Sequence, residues 1–331
     1  MDSNTKIAVI GGGSWATAIV KMLSENHDNI SWWMRNQDTI DHIKEYGNNP
    51  NYISAAELFP SKLTISNNIN KIVEGADCII LAVPSAFIRT TLKQLEKPIK
   101  SKFVVSAIKG IVAEKNRIIG EYLHNKYEIP FQNIGVLTGP CHAEEVALER
   151  LSYLTVACED MDKAQWFADQ ISCRYIKTNV SEDIFGTEIS AVLKNVIAIA
   201  SGICHSLGYG DNFQSVLASN AIREIKRFVD GVHPIERDIK ESAYLGDLLV
   251  TMYSQFSRNR TFGNMVGKGY SVKSAQLEMN MVAEGYYAVK CIKELNEEYK
   301  IDMPITDAVY NILYQRISPV IEMRILADKL N

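Results

Sequence analysis

A lysine in the middle of an apolar stretch is the first residue that could do chemistry. Residues 189–203 read ISAVLKNVIAIASGI, which has the length of a helix, and Lys194 is its only charged residue. A helix that is apolar on nearly every side is normally buried on nearly every side. Because burial penalises the ammonium form, it lowers a lysine pKa towards the range where the amine exchanges protons. Lys194 is therefore a candidate general acid or base.

Two more charged residues have positions that suit the same chemistry. Lys109 follows a predicted strand in SAIKGI, and ligands of doubly wound sheets collect at the carboxyl ends of the strands. Asp247 lies in a second apolar helical stretch, YLGDLLVTMYS, and a buried carboxylate is the natural partner of a buried lysine. The residues alone leave open a purely structural Lys–Asp pair that joins two helices.

A glycine-rich turn near the start of the chain predicts a nucleotide site. KIAVIGGGSWATAI places Gly11, Gly13 and Ala16 in the order Gly-x-Gly-x-x-Ala, directly after a predicted strand and at the start of a helix. Glycine lets the backbone approach a pyrophosphate, and the first helical turn offers free N–H groups and the positive end of the helix dipole. A tight strand-to-helix turn without a ligand is the alternative.

The end of the second predicted strand bears on the choice of cofactor. An Asp or Glu there usually accepts hydrogen bonds from the adenosine ribose, but this strand, ISWWMRNQ, ends in Arg35 and Asn36. Arginine pairs with a 2′-phosphate or stacks on adenine. We therefore expect NADP(H) to be accepted alongside NAD(H), with a solvated arginine at a strand end as the alternative.

Two segments have the residue types of an anion-binding site. SRNRTFGN presents Arg258, Asn259 and Arg260 beside small residues, which suits bidentate and amide contacts with a phosphate. A solvated basic loop is the alternative for this segment. TGPCHAEEVA (138–147) adds a Gly-Pro turn before a predicted helix whose N–H groups could hold the same substrate. Cys141 and His142 are adjacent and have no evident third orienting residue, which argues against a nucleophilic pair.

The order of predicted elements indicates an α/β fold with two parts. Strands that alternate with helical patterns indicate a Rossmann-type doubly wound sheet, followed by an all-α C-terminal domain. We expect an NAD(P)-binding domain at 1–180 and a substrate and catalytic domain at 181–331. The predicted strands are Lys6–Ile10, Ile30–Met34, Leu63–Ser66, Cys78–Val83, Phe103–Ala107, Ile134–Thr138, Tyr153–Cys158 and Arg174–Lys177. The predicted helices of the second part are 186–205, 213–229, 242–252, 272–278, 282–299, 304–315 and 319–328, and the polar stretches 45–54 and 257–271 are predicted ligand loops.

Composition and charge narrow the class of protein. The chain has 331 residues, 47% of them hydrophobic, and a net charge of −4, so it can form a real core and has no global attraction for nucleic acid. Its six cysteines are scattered without a C-x-x-C pair, which favours reduced thiols over structural zinc, and we expect no bound metal. The N-terminus lacks the pattern of a signal peptide, and no apolar run reaches the length of a membrane span. We therefore expect a soluble, cytoplasmic protein.

The motifs taken together resemble one enzyme family. IGGGSWATAI, NPNY, ADCIILAVPSAFIR, IKGI, TGPCHAEEVA, AVLKNVIAIASGI, GDLLVT, SRNRTFGN and AEG occur in the order and spacing of the bacterial NAD(P)-dependent glycerol-3-phosphate dehydrogenases, over nearly the whole chain. The resemblance implies reversible reduction of dihydroxyacetone phosphate to sn-glycerol 3-phosphate, a precursor of phospholipids, with NAD(H) or NADP(H) as cofactor. We expect this small phosphorylated substrate as the partner, with a homodimer as the assembly to test.

The resemblance also implies roles for individual residues. Lys194 is implied as the proton donor and acceptor, with Lys109 and Asp247 as further catalytic residues. The residues implied along the cofactor are Gly11, Gly13, Ser14, Trp15, Arg35, Tyr52, Lys109, Ala143, Arg258, Val282 and Glu284. The residues implied around the substrate are Lys109, Gly139, Cys141, Lys194, Asp247, Ser257, Arg258 and Asn259.

The chain departs from the family pattern at three places. Cys141 stands where Ser or Thr is usual, Gln214 and Asn220 stand where arginines are usual, and IKESAYL replaces a glycine-rich segment before Asp247. These departures bear on substrate affinity, feedback inhibition and subunit contacts. A related two-domain dehydrogenase of 3-hydroxy acids or ketopantoate is the main alternative, but it leaves the Ser-Arg-Asn-Arg segment unexplained. A non-catalytic protein that senses NAD(P)H is the alternative from another class.

Overall fold

The computed structural model describes residues 5–112, 116–279 and 282–331, and the chain divides into two compact units. The first, named the sheet unit, comprises Met1–Ile108 and Ile119–Ile184. The second, named the helical unit, comprises Lys109–Ile118 and Phe185–Asn331. The segment Lys109–Ile118, which the sequence analysis placed in the first part, therefore groups with the helical unit.

The sheet unit is built on an eight-stranded, mostly parallel sheet. Its strand order is β10-β9-β8-β5-β4-β1-β2-β3, and among these neighbours β8 and β9 pair antiparallel while the others pair parallel. The predicted Rossmann-type α/β class is confirmed, and every predicted strand is present with ends shifted by a few residues. The strands are β1 (Ile7–Ile10), β2 (Ile30–Trp33), β3 (Leu63–Ser66), β4 (Cys78–Leu81), β5 (Phe103–Ser106), β8 (Ile134–Thr138), β9 (Ser152–Ala157) and β10 (Ile176–Ser181), while β6 (Ile111–Val112) and β7 (Arg117–Ile118) form a separate antiparallel pair in the helical unit.

The central strands are buried at every position and are almost entirely apolar. The sequences IAVI, CIIL and FVVS of β1, β4 and β5 are fully buried, as expected for parallel strands that are covered on both faces. Trp32, Phe103 and Phe167 are the largest fully buried side chains of this unit and are 1% exposed or less. The helices of the unit are α1 (Ser14–Leu23), α2 (Gln37–Tyr46), α3 (Ile69–Glu74), α4 (Ile88–Leu92), α5 (Ile119–Tyr127), α6 (Ala143–Ala147) and α7 (Met161–Ile171).

The helical unit surrounds one long apolar helix. Its helices are α8 (Ile184–Ser206), α9 (Asp211–Val232), α10 (Asp247–Tyr253), α11 (Arg258–Gly267), α12 (Val272–Glu278), α13 (Glu284–Tyr299), α14 (Pro304–Leu313) and α15 (Pro319–Ala327). In α8, Ile197, Ile199 and Ile203 are wholly buried and belong to the core of the unit. The buried Glu224 of α9 accepts hydrogen bonds from the backbone N–H groups of Ile305 and Thr306, and so caps α14.

Among the described residues, α8 is also the helix that is long and apolar enough to cross a membrane. Its most apolar 18-residue window is 94% buried inside the protein. A helix whose whole circumference is apolar must be covered on every side, and here the neighbouring helices of the unit cover it. The apolar length of α8 is therefore explained by its position in the core.

The stretch 257–271 is a helix and not the loop that the sequence predicted. Its glycines misled the prediction, because Gly263 lies in the middle of α11 and is used for close packing against α8. A Cβ at Gly263 would lie 2.9 Å from the carbonyl carbon of Ile199, and a Cβ at Gly202 of α8 would lie 2.8 Å from the backbone nitrogen of Asn264. Glycine on both helices thus lets the two backbones touch.

Candidate active site

Lys194, Asp247 and Lys109 form a charged cluster inside the helical unit. The amine of Lys194 pairs with Oδ1 of Asp247, and the Lys109 Nζ lies 3.6 Å from Oδ2 of the same carboxylate. The side chains of Lys194 and Asp247 are 5% and 1% exposed, whereas that of Lys109 is 19% exposed. The sequence predicted these three residues as the catalytic group, and the structure brings all three together.

Three different elements position the cluster. Lys194 projects from the middle of α8, and Lys109 begins the segment that forms the β6–β7 hairpin. Asp247 is the first residue of α10, directly after the π-helical turn Ser242–Gly246. The backbone N–H of Asp247 donates back into the π-helical turn, so the two helical stretches are continuous, and π-helical turns occur often at functional sites. The segment IKESAYL, which stands where the family has a glycine-rich one, therefore still places Asp247 in the cluster.

Burial sets the protonation behaviour of Lys194. Burial away from water lowers the pKa of Lys194 from 10.5 to about 7. The negative charge of Asp247 opposes this decrease, and the positive charge of Lys109 adds to it. An amine with a pKa near neutrality is present in both its charged and its neutral form under physiological conditions. Such an amine can act as an acid in one direction of a reaction and as a base in the other.

Two residues that the sequence analysis did not propose complete the surroundings of the cluster. Asn195 is 6% exposed, and its side-chain amide donates a hydrogen bond of 2.8 Å to the carbonyl oxygen of Lys109. Gly285 packs against the backbone of Asn195, since a Cβ on Gly285 would lie 2.6 Å from the carbonyl oxygen of Asn195. An amide in an otherwise apolar helix was the available signal for Asn195, whereas nothing local marks Gly285.

The start of α11 lies beside this cluster through Asn259. The Oδ1 of Asn259 accepts a hydrogen bond of 2.9 Å from the backbone N–H of Gly285, and the hydroxyl of Ser257 caps α11 by accepting from the N–H of Arg260 at 3.3 Å. Ser257 and Asn259 are buried and Arg258 is half-buried. The free N–H groups of a helix start and a guanidinium are together suited to an anion.

Arg260 does not join Arg258 on this side of the helix. Two residues along an α-helix correspond to a rotation of about 200°, so Arg260 points away from Arg258. Val282 and Glu284, which the resemblance placed along the cofactor, are half-buried residues just before and at the start of α13, next to Gly285.

The glycine turn of the sheet unit fits a dinucleotide. Gly11 has φ of +142°, and a Cβ there would lie 2.8 Å from the carbonyl carbon of Ala82. Nothing lies within 4 Å of a Cβ built on Gly13, so the space above the start of α1 is open. Backbone N–H groups at the start of this ten-residue helix therefore face a cradle that a pyrophosphate can approach.

Two buried side chains that the sequence analysis missed hold this turn in place. The indole N–H of Trp32 donates to the carbonyl oxygen of Gly11 at 2.6 Å. The amide of Asn49, which is wholly buried, donates to the carbonyl oxygen of Gly12 at 3.2 Å and to the hydroxyl of Thr17 at 2.9 Å. Asn49 belongs to the loop 45–54 that was predicted to bind a ligand, and its role in the structure is to hold the glycine turn through these two hydrogen bonds.

The remaining predicted cofactor residues of the sheet unit border the same region of the chain. Ser14 is buried in the first turn of α1, whereas Trp15 and Tyr52 are half-buried. Arg35 is exposed and follows the end of β2 by two residues. An exposed guanidinium at a strand end can reach a ribose phosphate, so its placement fits the predicted role.

The turn after β8 contains the other predicted residues of the sheet unit. Gly139 has φ of +126°, and a Cβ there would lie 2.7 Å from the carbonyl oxygen of Tyr153 on β9. The thiol of Cys141 donates to that same carbonyl oxygen at 3.2 Å. Ala143 is buried at the start of α6. In the described part of the chain, no group of three His, Cys, Asp or Glu residues has the geometry to hold a metal ion.

The chain is similar over almost its whole length to known glycerol-3-phosphate dehydrogenases. Residues 6–164 match the family model for the N-terminus of NAD-dependent glycerol-3-phosphate dehydrogenase, and residues 183–323 match the model for its C-terminus. The relative from Staphylococcus carnosus named glycerol-3-phosphate dehydrogenase (NAD(P)+) is 34% identical over 95% of each chain, and that from Bacillus pumilus is 36% identical over 94% of this chain and 90% of its own. The crystal structure of glycerol-3-phosphate dehydrogenase from Coxiella burnetii has a TM-score of 0.89 at 27% identity and covers 98% of both chains.

Proposed function

The chain belongs to the NAD-dependent glycerol-3-phosphate dehydrogenase family, and we propose that it reduces dihydroxyacetone phosphate reversibly to sn-glycerol 3-phosphate with NADPH or NADH. The observation that carries the proposal is the buried cluster of Lys194, Asp247 and Lys109 in a chain of this family. A ketone that becomes an alcohol needs a proton at oxygen as well as a hydride at carbon. The cluster provides a group that can deliver this proton.

The proton is assigned to Lys194. A bound nicotinamide supplies the hydride for C2 of the substrate. In the reductive direction, the protonated amine of Lys194 gives its proton to the ketone oxygen as negative charge develops there. In the oxidative direction, the neutral amine takes the hydroxyl proton. Asp247 keeps the amine in position and favours its charged form, so that Lys194 is reprotonated for the next cycle.

The phosphate of the substrate is assigned to the start of α11. Arg258 offers a planar pair of donors for two phosphate oxygens, and Asn259 and Ser257 lie beside it. Lys109 is the most exposed member of the cluster and is the cation that can reach the substrate from there. Gly139 and Cys141 are proposed as further contacts to the substrate by family resemblance.

The cofactor is assigned to the glycine turn and its neighbours. Gly11 and Gly13 leave the space that a pyrophosphate needs at the start of α1. Arg35 is proposed to pair with the 2′-phosphate of NADPH. The other residues proposed along the cofactor are Ser14, Trp15, Tyr52, Lys109, Ala143, Arg258, Val282 and Glu284.

The same proposal assigns a role to each of the two parts of the chain, a use to the product and a location to the enzyme. Residues 1–180 are proposed to bind the cofactor, and residues 181–331, joined by Lys109, to carry the substrate and the proton chemistry. The product is proposed to feed glycerophospholipid synthesis in the cytoplasm, with a homodimer as the assembly to be measured.

The test is the replacement of Lys194 by alanine. The Lys194→Ala variant should lose turnover of dihydroxyacetone phosphate by about 10²-fold to 10⁴-fold, the usual contribution of a positioned acid or base. NADPH should still bind, because the glycine turn is untouched. Lys290→Ala is the matched control, since this lysine is an exposed residue of α13 that pairs with Glu294. Turnover is measured by the oxidation of NADPH, and cofactor binding is measured by the fluorescence of bound NADPH.

The substrate is tested with the same assay. Dihydroxyacetone phosphate should be reduced by the wild-type chain, whereas acetoacetyl and ketopantoate substrates should not. Reduction of ketopantoate in preference to the triose phosphate would assign the chain to the related dehydrogenases. NADPH binding without reduction of any of the three would favour a cofactor-sensing protein, and wild-type turnover in Lys194→Ala would remove the proposed role of the amine.

A further inference from the structure

A groove with a volume of about 270 Å³ runs along the outward face of α11, and we name it the α11 groove. It lies entirely within the helical unit. Its lining combines two cations, an amide, a hydroxyl, a thioether and a phenol: Arg260, Lys268, Asn264, Thr261, Met265 and Tyr270. None of these side chains has a role in the proposed reaction.

The groove is formed by the way in which α11 ends. The N–H of Gly269 donates to the carbonyl oxygen of Val266 at 3.0 Å, and the N–H of Tyr270 donates to that of Met265 at 3.1 Å. Gly269 has φ of +95°, which reverses the chain direction after the helix. This reversal brings Tyr270 back beside the last turns of α11, and Tyr270 and Met265 both line the groove.

The charge in the groove is not balanced by the part of the chain that the structure describes. Arg260 and Lys268 make no ion pair with any carboxylate there. In addition, the Nε of Arg260 is buried and has no hydrogen-bond partner among the described residues. The terminal nitrogens of Arg260 likewise have no partner among the described residues, and unlike Nε they are accessible, so they are the donors that a bound anion would use.

We propose that the α11 groove binds a small phosphorylated molecule. The guanidinium of Arg260 would hold the phosphate through its two terminal nitrogens, a two-point contact of the kind that arginine makes with phosphate oxygens. Lys268 adds a second positive charge, and Asn264 adds an amide donor. Met265 and Tyr270 then cover the carbon part of the ligand. The volume of about 270 Å³ suits a molecule of a few carbons.

The groove is separate from the place assigned to the phosphate of the substrate. Arg258, Ser257 and Asn259, which are assigned to that phosphate, are not among the residues that line the groove. Asn259 is instead held to Gly285 beside the catalytic cluster. A ligand in the groove therefore binds the helix that carries Arg258 without touching the proposed catalytic residues, and the proposal stands or falls independently of the reaction.

The test uses inorganic phosphate as the probe and measures its binding by calorimetry. Arg258→Gln serves as the background, because it removes the phosphate ligand assigned to the substrate site. Arg258→Gln/Arg260→Gln and Arg258→Gln/Lys268→Gln should each bind phosphate at least tenfold more weakly than the background variant. Arg258→Gln/Lys273→Gln is the matched control, since Lys273 is an exposed cation of α12 outside the groove lining, and it should bind phosphate like the background.

A second measurement identifies the side chain involved, because the Nε–H resonance of Arg260 reports on contacts made by the terminal nitrogens of the same guanidinium. In a nitrogen-15-labelled sample, the Nε–H resonance that is absent from Arg260→Gln should shift as phosphate is added to the wild-type chain. Phosphate binding that is unchanged in both groove variants would overturn the proposal, and so would equal weakening in the Lys273 control. Failure of the background variant to bind phosphate, together with an unmoved Arg260 Nε–H resonance, would also overturn it.

Discussion

Replacement of Asp247 by asparagine gives a quantitative test of the proton chemistry at Lys194. Asparagine has almost the same shape as aspartate but lacks the charge that favours the ammonium form of the lysine. Burial and the Lys109 cation would then both lower the pKa of Lys194 without opposition. The pKa, which is about 7 in the wild-type chain, should therefore move to a lower value in Asp247→Asn.

The size of this shift follows from the short distances in the cluster. Two unit charges about 4 Å apart interact by about 4 kcal/mol at an effective dielectric constant of about 20. One pKa unit corresponds to about 1.36 kcal/mol, so a loss of two to three units, roughly, is expected. At pH 7 the protonated fraction of Lys194 would fall from about one half to about 1% or less. Reduction of dihydroxyacetone phosphate, which needs the protonated form, should slow by about 50-fold from this cause alone.

The assay is the pH dependence of kcat in both directions. For the wild-type chain, reduction should decline as pH rises through about 7, and oxidation of glycerol 3-phosphate should increase over the same range. In Asp247→Asn both transitions should move to lower pH by about two units or more. Asp302→Asn is the control, because the side chain of Asp302 is 83% exposed. Profiles of Asp247→Asn that coincide with the wild-type profiles, in a variant shown to be folded by circular dichroism, would refute the reasoning.

Three further predictions concern the glycine turn, the cofactor and the stability of the helical unit. Gly11→Ala should abolish measurable NADPH binding in a fluorescence titration, because its Cβ would lie 2.8 Å from the carbonyl carbon of Ala82; wild-type affinity would contradict this. Arg35→Asp should weaken NADPH binding by about tenfold or more and leave NADH affinity nearly unchanged, and equal effects on both cofactors would exclude the assigned phosphate contact. Glu224→Gln should lower the free energy of unfolding by about 1–3 kcal/mol, because its amide NH2 group would face the backbone N–H of Ile305 or of Thr306 where an acceptor oxygen now stands. Burial raises the pKa of Glu224 from 4.5 to about 7. The stability gained from protonation of this carboxylate is therefore fully present below about pH 4.5 and is lost as pH rises through 7. Denaturant unfolding at several pH values should show this loss of stability in the wild-type chain and not in Glu224→Gln.

The elements and the catalytic cluster were predictable where one local pattern had one physical explanation. Short β-branched runs separated by helical periods led directly to the sheet. Lys194 was identified because a lone cation in an apolar helix is costly, and Asp247 because it was the corresponding anion in another apolar helix. Both inferences depend on composition within a few turns of helix, and such information is present in the sequence.

The failures occurred where a residue served a distant part of the chain. Gly263 and Gly267 gave the stretch 257–271 the composition of a loop, but their lack of a side chain is used for contact with α8. Ile111 and Ile118 are apolar residues that would suit either core, so their membership of the helical unit could not be read locally. Asn49 is a residue of the kind that often binds ligands from a loop, yet its side-chain amide donates a hydrogen bond to the backbone of the glycine turn.

The close approach of α8 and α11 has a consequence for attempts to alter substrate choice. Since main chain rests on main chain at Gly202 and Gly263, the two helices cannot slide past one another to accommodate a bulkier molecule. The spacing between Lys194 on α8 and Arg258 on α11 is therefore fixed, and it limits the length of substrate that can reach both. Directed evolution towards longer phosphorylated ketones would have to reshape the surrounding turns, and libraries that randomise these glycines should yield mostly inactive clones.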